Sequence, residues 1–157
     1  MTLDKRFKVP LEVGNYVISK SMEKPFKLYL LLKSMCNGQI KLNEHDFERI
    51  ALLLDYKCKK SVKNNLKKLI SLNWVGYNKT SHYYFIRGFD FIRRQKGFKR
   101  RTAIYVNLKQ INHLQEILLA GLITKLIKNR IRGIVKDADC KGRRPNQALR
   151  NIPDYFP

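Results

Sequence analysis

The stretch Leu54–Val75 reads LDYKCKKSVKNNLKKLISLNWV. Val62, Leu66 and Leu69 recur at spacings of four and three, so a helix over about Lys60 to Leu72 gathers them on one side. Lys60, Asn64, Lys67, Lys68 and Ser71 fall on the other side. The predicted helix is two-faced, apolar where it is anchored and basic where it looks outward. Upstream, Phe47, Ile50, Ala51 and Leu54 sit at i, i+3, i+4 and i+7, a second apolar helical stripe. Asn43 opens that helix, and Glu44 and Asp46 in its first turn suit the positive end of the helix dipole. Asp55 to Cys58 separates the two helices. Downstream, Trp74 to Tyr77 and His82 to Ile86 alternate as strands do, with a polar turn at Asn78–Ser81.

Working further outward, Ser21 is the predicted N-cap of an earlier helix with Pro25 in its first turn, where the missing N–H costs little. Phe26, Tyr29 and Leu30 are its buried side. Asn37-Gly38 ends it with residues that tolerate positive φ. Gln39 to Leu42 fits a short strand. The order from residue 21 to 88 is therefore helix, strand, helix, turn, helix, hairpin. Phe7 to Val13 reads as a short strand or extended arm interrupted by Pro10. Beyond the hairpin, Phe89 to Gln95 fits a short helix and Thr102 to Leu108 a strand. Asn107 caps a longer helix to about Ile131, with Ile111, Leu114, Leu118 and Leu122 on one side. From Lys136 the apolar pattern stops. The predicted class is α+β and mainly helical, organised as an N-terminal arm (1–20), a central unit (21–88), a helical extension (89–135) and a basic tail (136–157).

Composition narrows the function classes. Among 157 residues, 33 Lys and Arg face 12 Asp and Glu, a net charge of +21. Such an excess repels itself when the chain compacts, and an anionic partner relieves it. The most apolar run, Ile117 to Ile123, is far shorter than the ~20 residues that span a bilayer, so no membrane partner is expected. No apolar h-region follows the N-terminal basic residues. Cys36, Cys58 and Cys140 are odd in number and far apart, which reads as reduced thiols in a cytoplasmic protein. His45, His82 and His113 are isolated, the acids are scattered, and no phosphate loop of the GxxxxGK type occurs. The expectation is a protein with no catalytic residues, no metal and no cofactor.

The run Ser61-Val62, Leu66, Leu69 and Asn73-Trp74-Val75 resembles the recognition helix of winged helix-turn-helix regulators and initiators, across about residues 21–88. Asp55 stands where that family commonly has Gly, and Asn73 where Gly is usual. The resemblance implies a winged helix-turn-helix followed by a strand-plus-helix extension and a basic tail. It implies double-stranded DNA as partner and a role in transcription regulation, or as an accessory of replication or a mobile element. A major groove of ~12 Å admits one helix, and the N-terminal turns reach deepest. Base reading then falls to Lys60, Ser61, Lys63 and Asn64. Lys57, Lys59, Lys67 and Lys68 are the neighbouring phosphate candidates, and Lys79 is the candidate at the tip of the wing (residues 76–86). Arg93, Arg94, Arg100 and Arg101 form a basic stretch after the hairpin with Phe91 and Phe98 interleaved, a pattern that also fits single-stranded bases. Arg143 and Arg144, in Lys141–Pro145, faintly resemble an AT-hook with its glycine displaced. The helix 108–131 could pair with a second subunit, and Leu114, Leu118 and Leu122 equally suit this chain's own core. An RNA or single-strand binder, and a basic module of a larger phage-like assembly, fit the same composition.

Overall fold

A computed structural model describes residues 5–99 and 102–140, with the side chains of 137–140 excepted. The chain is α+β and mainly helical. Its described elements run β1 (Arg6–Pro10), α1 (Leu11–Ser19), α2 (Glu23–Met35), β2 (Gln39–Lys41), α3 (Glu44–Leu53), α4 (Lys59–Ser71), β3 (Val75–Asn78), β4 (Tyr83–Ile86), α5 (Phe89–Lys96), β5 (Ala103–Asn107), a 3-10 turn (Leu108–His113) and α6 (Leu114–Cys140).

The helices end and begin for local reasons. Asn43 caps α3 by accepting from the Asp46 main-chain N–H at 2.9 Å, while the Asp46 carboxylate accepts from the Asn43 N–H at 2.9 Å. The C-terminus of α3 closes with Asp55 N–H donating to Leu52 O and Tyr56 N–H to Ala51 O. That pair of bonds needs a left-handed residue, and Asp55 has φ +53°. The same closure ends α4, through Asn73 N–H to Ile70 O and Trp74 N–H to Leu69 O, with Asn73 at φ +57°. Asp and Asn tolerate this region better than other non-glycine residues.

A third closure of this kind corrects the reading of Ser21. Ser21 N–H donates to Ile18 O and Met22 N–H to Val17 O, with Ser21 at φ +49°. Ser21 therefore terminates α1, and Met22 occupies the N-cap of α2 with no side-chain cap. The segment read as an arm is also different. After β1, Pro10 (φ −57°) turns the chain directly into the nine-residue helix α1. Val13, Val17, Ile18 and Gly14 are poor helix formers, so the local signal favours an extended chain. Burial overrides it: Val13 and Val17, one turn apart, are fully buried.

Among the described residues, two antiparallel sheets organise the fold. β2, β4 and β3 lie in that order, with Ile40 opposite Tyr84 and Tyr77 opposite Tyr84 on the other edge. β1 pairs with β5, setting buried Phe7 against Val106 and Val9 against Ile104. α3 and α4 pack on each other and α4 on α2, and α6 covers α1 and β5. The buried side chains form one continuous cluster from Phe7 to Leu118. Its centre is aromatic. Trp74 lies within about 6 Å of the rings of Tyr16, Phe26 and Tyr29, and the Tyr29 hydroxyl donates to Arg87 O at 2.6 Å. Burial pushes the Tyr29 hydroxyl pKa well up, so it stays a donor.

α6 begins later than the sequence suggests. Asn107 caps the 3-10 turn, accepting from the Lys109 N–H at 3.0 Å, and the regular helix starts only at Leu114. It then continues to Cys140, past the predicted end near Ile131. Gly121 faces β5 so closely that a Cβ there would lie 2.7–2.8 Å from three atoms of Ile104.

Candidate nucleic-acid interface

Helix α4 carries the predicted division of faces. Val62, Leu66 and Leu69 are buried, and Lys60, Asn64, Lys67, Lys68 and Ser71 are exposed. Lys57 is exposed in the preceding turn. At ~100° per residue, Lys60, Asn64, Lys67 and Ser71 line up along the helix, with Lys68 beside them. The exposed row is thus three lysines, one amide and one hydroxyl.

Two residues assigned to base reading do not share that row. The Lys63 ammonium donates to Glu44 Oε1 at 2.5 Å and lies 5.2 Å from the centre of the Phe47 ring. It is turned toward α3, not outward. Lys59 is drawn the same way, 3.2 Å from Glu48 and 3.6 Å from Glu44. Hydrogen bonding from Lys63, reinforced by its charge and by Lys59, holds the Glu44 carboxyl below its ordinary range. Ser61 is half-buried, with its hydroxyl 3.7 Å from the Cys58 sulfur. The Asn65 amide donates to Ser61 O at 2.9 Å, which directs Asn65 along the helix rather than outward.

The hairpin is built by Asn78, whose side-chain oxygen accepts from the N–H groups of Thr80 (2.9 Å) and Ser81 (3.3 Å). That fold of the turn leaves Lys79 exposed at the tip. Next to it, the Tyr77 hydroxyl and His82 Nδ1 are 3.0 Å apart, and the rings of Tyr77 and Tyr84 are 4.7 Å apart. Tyr77 and Tyr83 are exposed. Sequence reasoning assigned them no role; four tyrosines at 77, 83, 84 and 105 in short strands were the available signal.

The basic stretch after the hairpin is divided by the fold. Arg94 is exposed. Arg93 is mostly covered, bonded to Asp90 at 3.3 Å, with its Nε buried. Lys96 lies 4.8 Å over the Tyr16 ring, and the Arg87 guanidinium lies 4.9 Å over Phe91. Phe98 packs on the core, 6.3 Å from Tyr16. Phe98 is therefore partly covered by the core. Arg100, Arg101, Arg143 and Arg144 lie outside the described residues.

His45 faces Glu48 at 4.0 Å, and His113 bonds Glu116 at 2.9 Å. Among the described residues no group of His, Cys, Asp and Glu is arranged to hold a metal, and no helix is long and apolar enough to cross a membrane. No protein-family model, curated protein or solved structure matches this chain.

Proposed function

We propose that residues 21–88 are a winged helix-turn-helix that binds double-stranded DNA, with α4 in the major groove and the β3–β4 hairpin as the wing. The observation that carries this reading is the outward row of α4. Lys60, Asn64, Lys67 and Lys68 project from a helix whose opposite face is fully buried. A row with no large apolar side chain has nothing to gain from a protein core, and lysines at ~5–6 Å spacing suit phosphates on either wall of a groove. The helix–strand–helix–helix–hairpin order and the β2-β4-β3 sheet support the same reading, because β3 of the hairpin follows α4 and packs on it. The base-reading set becomes Lys60 and Asn64, with Lys57, Lys67, Lys68, Lys79 and Arg94 on phosphates. Lys59 and Lys63 instead tie α4 to α3. The protein acts by binding, in regulation of transcription or as an accessory of replication, and performs no chemistry of its own.

The test is selection from a random duplex library by the full chain at ~150 mM salt. A shared motif is the expected result, and flat enrichment refutes the reading. A second reading, single-stranded nucleic acid, draws on exposed Tyr77 and Tyr83, which offer faces for stacking. Competition of duplex against single strand separates the two.

A further inference from the structure

Helix α6 is apolar on two opposite sides. Toward the core it buries Leu114 and Leu118 and lays Gly121 on Ile104. On the far side Leu119, Ile123, Leu126, Ile127 and Ile134 are exposed, from 39% at Leu119 to 68% at Leu126. These five do not scatter. At ~100° per residue they fall within about 100° of one another, one stripe along the helix. Lys125, Arg132 and Lys136 lie on the opposite side. Isolated exposed Leu or Ile is ordinary, whereas a continuous stripe on a helix marks a contact surface.

Only two charged residues interrupt the stripe. Glu116 lies at its N-terminal end and Arg130 fourteen positions on, both exposed. Fourteen residues is two heptads, the repeat at which two helices keep the same seam in contact. In a parallel pair Glu116 would meet Glu116 and Arg130 would meet Arg130. In an antiparallel pair centred on Ile123, each Glu116 comes beside Arg130 of the partner subunit, and Leu119 comes beside Ile127 of the partner subunit. We infer that α6 mediates antiparallel self-association of this chain through the Glu116–Ile134 stripe. This is the face opposite Leu114 and Leu118, which the chain's own core has taken. The stripe carries its own complementary charges, which a membrane surface would have to desolvate without pairing.

The size of the surface sets the strength. The stretch 116–134 is about 28 Å long at 1.5 Å per residue, and a helix is about 10 Å across. The resulting strip of about 280 Å² of projected area per copy is small beside the ~800 Å² per partner of a standard interface. The dimer is therefore concentration-dependent and not obligate. Self-association of this kind uses none of the α4 face, so it is measured without nucleic acid and stands apart from DNA binding.

The test is sedimentation equilibrium of the full chain from about 5 to about 500 µM, a span chosen for weak interfaces. The expected mass rises from 18.6 kDa toward twice that value. A constant monomer mass overturns the inference. Because the chain has a net charge of +21, the membrane arm uses uncharged phosphatidylcholine vesicles. A monomer that sediments with them, and no longer does so as Ile123→Lys, assigns the stripe to a membrane surface instead. Ile123→Lys, at an exposed site, should leave the circular dichroism unchanged and abolish the rise. Glu116→Arg and Arg130→Glu should each weaken association about fivefold or more, as loss of a partly desolvated charge pair does. The double exchange should restore it. A double variant as weak as the singles overturns the antiparallel arrangement.

Discussion

Alanine replacing glycine at two positions of α6 should have opposite effects on stability, and the packing of the helix decides the signs. In an open helix Ala is favoured over Gly by about 0.8–1 kcal/mol. Among the described residues nothing lies within 4 Å of where a Cβ at Gly133 would stand, so Gly133→Ala should stabilise by about 0.5–1 kcal/mol. At Gly121 the new methyl would lie 2.7 Å from Ile104 Cγ2 and 2.8 Å from both Cγ1 and Cδ1. Carbon atoms pack at about 3.5–4.0 Å, so each contact is short by about 0.7 Å or more. Ile104 cannot easily yield. It is β-branched and stiff at χ1, nearly buried, and paired across the strands with fully buried Val9. Overpacking of this kind costs about 1–3 kcal/mol. Subtracting the helix preference leaves Gly121→Ala destabilising by up to about 2 kcal/mol. Urea unfolding followed by circular dichroism measures both, and the slope with denaturant should stay unchanged. Ile104→Val removes Cδ1 and should reduce the penalty of Gly121→Ala when the two are combined. If Gly121→Ala stabilises as much as Gly133→Ala does, α6 does not approach β5 as described, and the orientation of its outward stripe falls with it.

Other consequences can be checked separately. Replacing Lys60, Lys67 and Lys68 together by Ala should flatten the plot of log affinity for duplex DNA against log salt by about 0.9 for each phosphate no longer neutralised; the same exchange at Lys59 and Lys63 should change it less, because those ammonium groups are held by Glu44 and Glu48, and equal effects would refute the assignment. Ser21→Gly should raise the unfolding midpoint, by roughly 0.5–1 kcal/mol of stability, since Ser21 holds φ +49° where glycine is unstrained. The Glu44 carboxyl is held below its ordinary value of 4.5, so its contribution is present above that pH and is lost as pH falls through the lower folded-state value. Glu44→Gln should therefore make stability less steep with pH below about 4.5 in urea titrations, and an unchanged slope would refute the pairing. The main-chain N–H and hydroxyl of Ser61 pull the exposed Cys58 thiol below its ordinary value, so iodoacetamide near neutral pH should label Cys58 before half-buried Cys36, as peptide mapping would show.

The sequence by itself determined the elements whose evidence is local. The stripes Phe47–Ile50–Ala51, with the C-cap Leu54, and Val62–Leu66–Leu69 each belong to one helix. The Asn43–Asp46 cap spans three residues, and Asp55 and Asn73 end helices by their own backbone tolerance. The two faces of α4 followed from the same periodicity. Tertiary structure alone decided the rest. β1 meets β5 across nearly a hundred residues, and no local pattern records that partner. α1 is helical because Val13 and Val17 are buried together, against their own preference for extended chain. Lys63 looks like a groove-reading residue on a helical wheel, yet Glu44 on the neighbouring helix claims it. α6 is apolar on two sides, so periodicity could mark Leu114 and Leu118 but not say which side the core would leave uncovered. Contacts within one or two turns are written in the spacing of side chains. Contacts between elements depend on which surfaces the folded chain brings together.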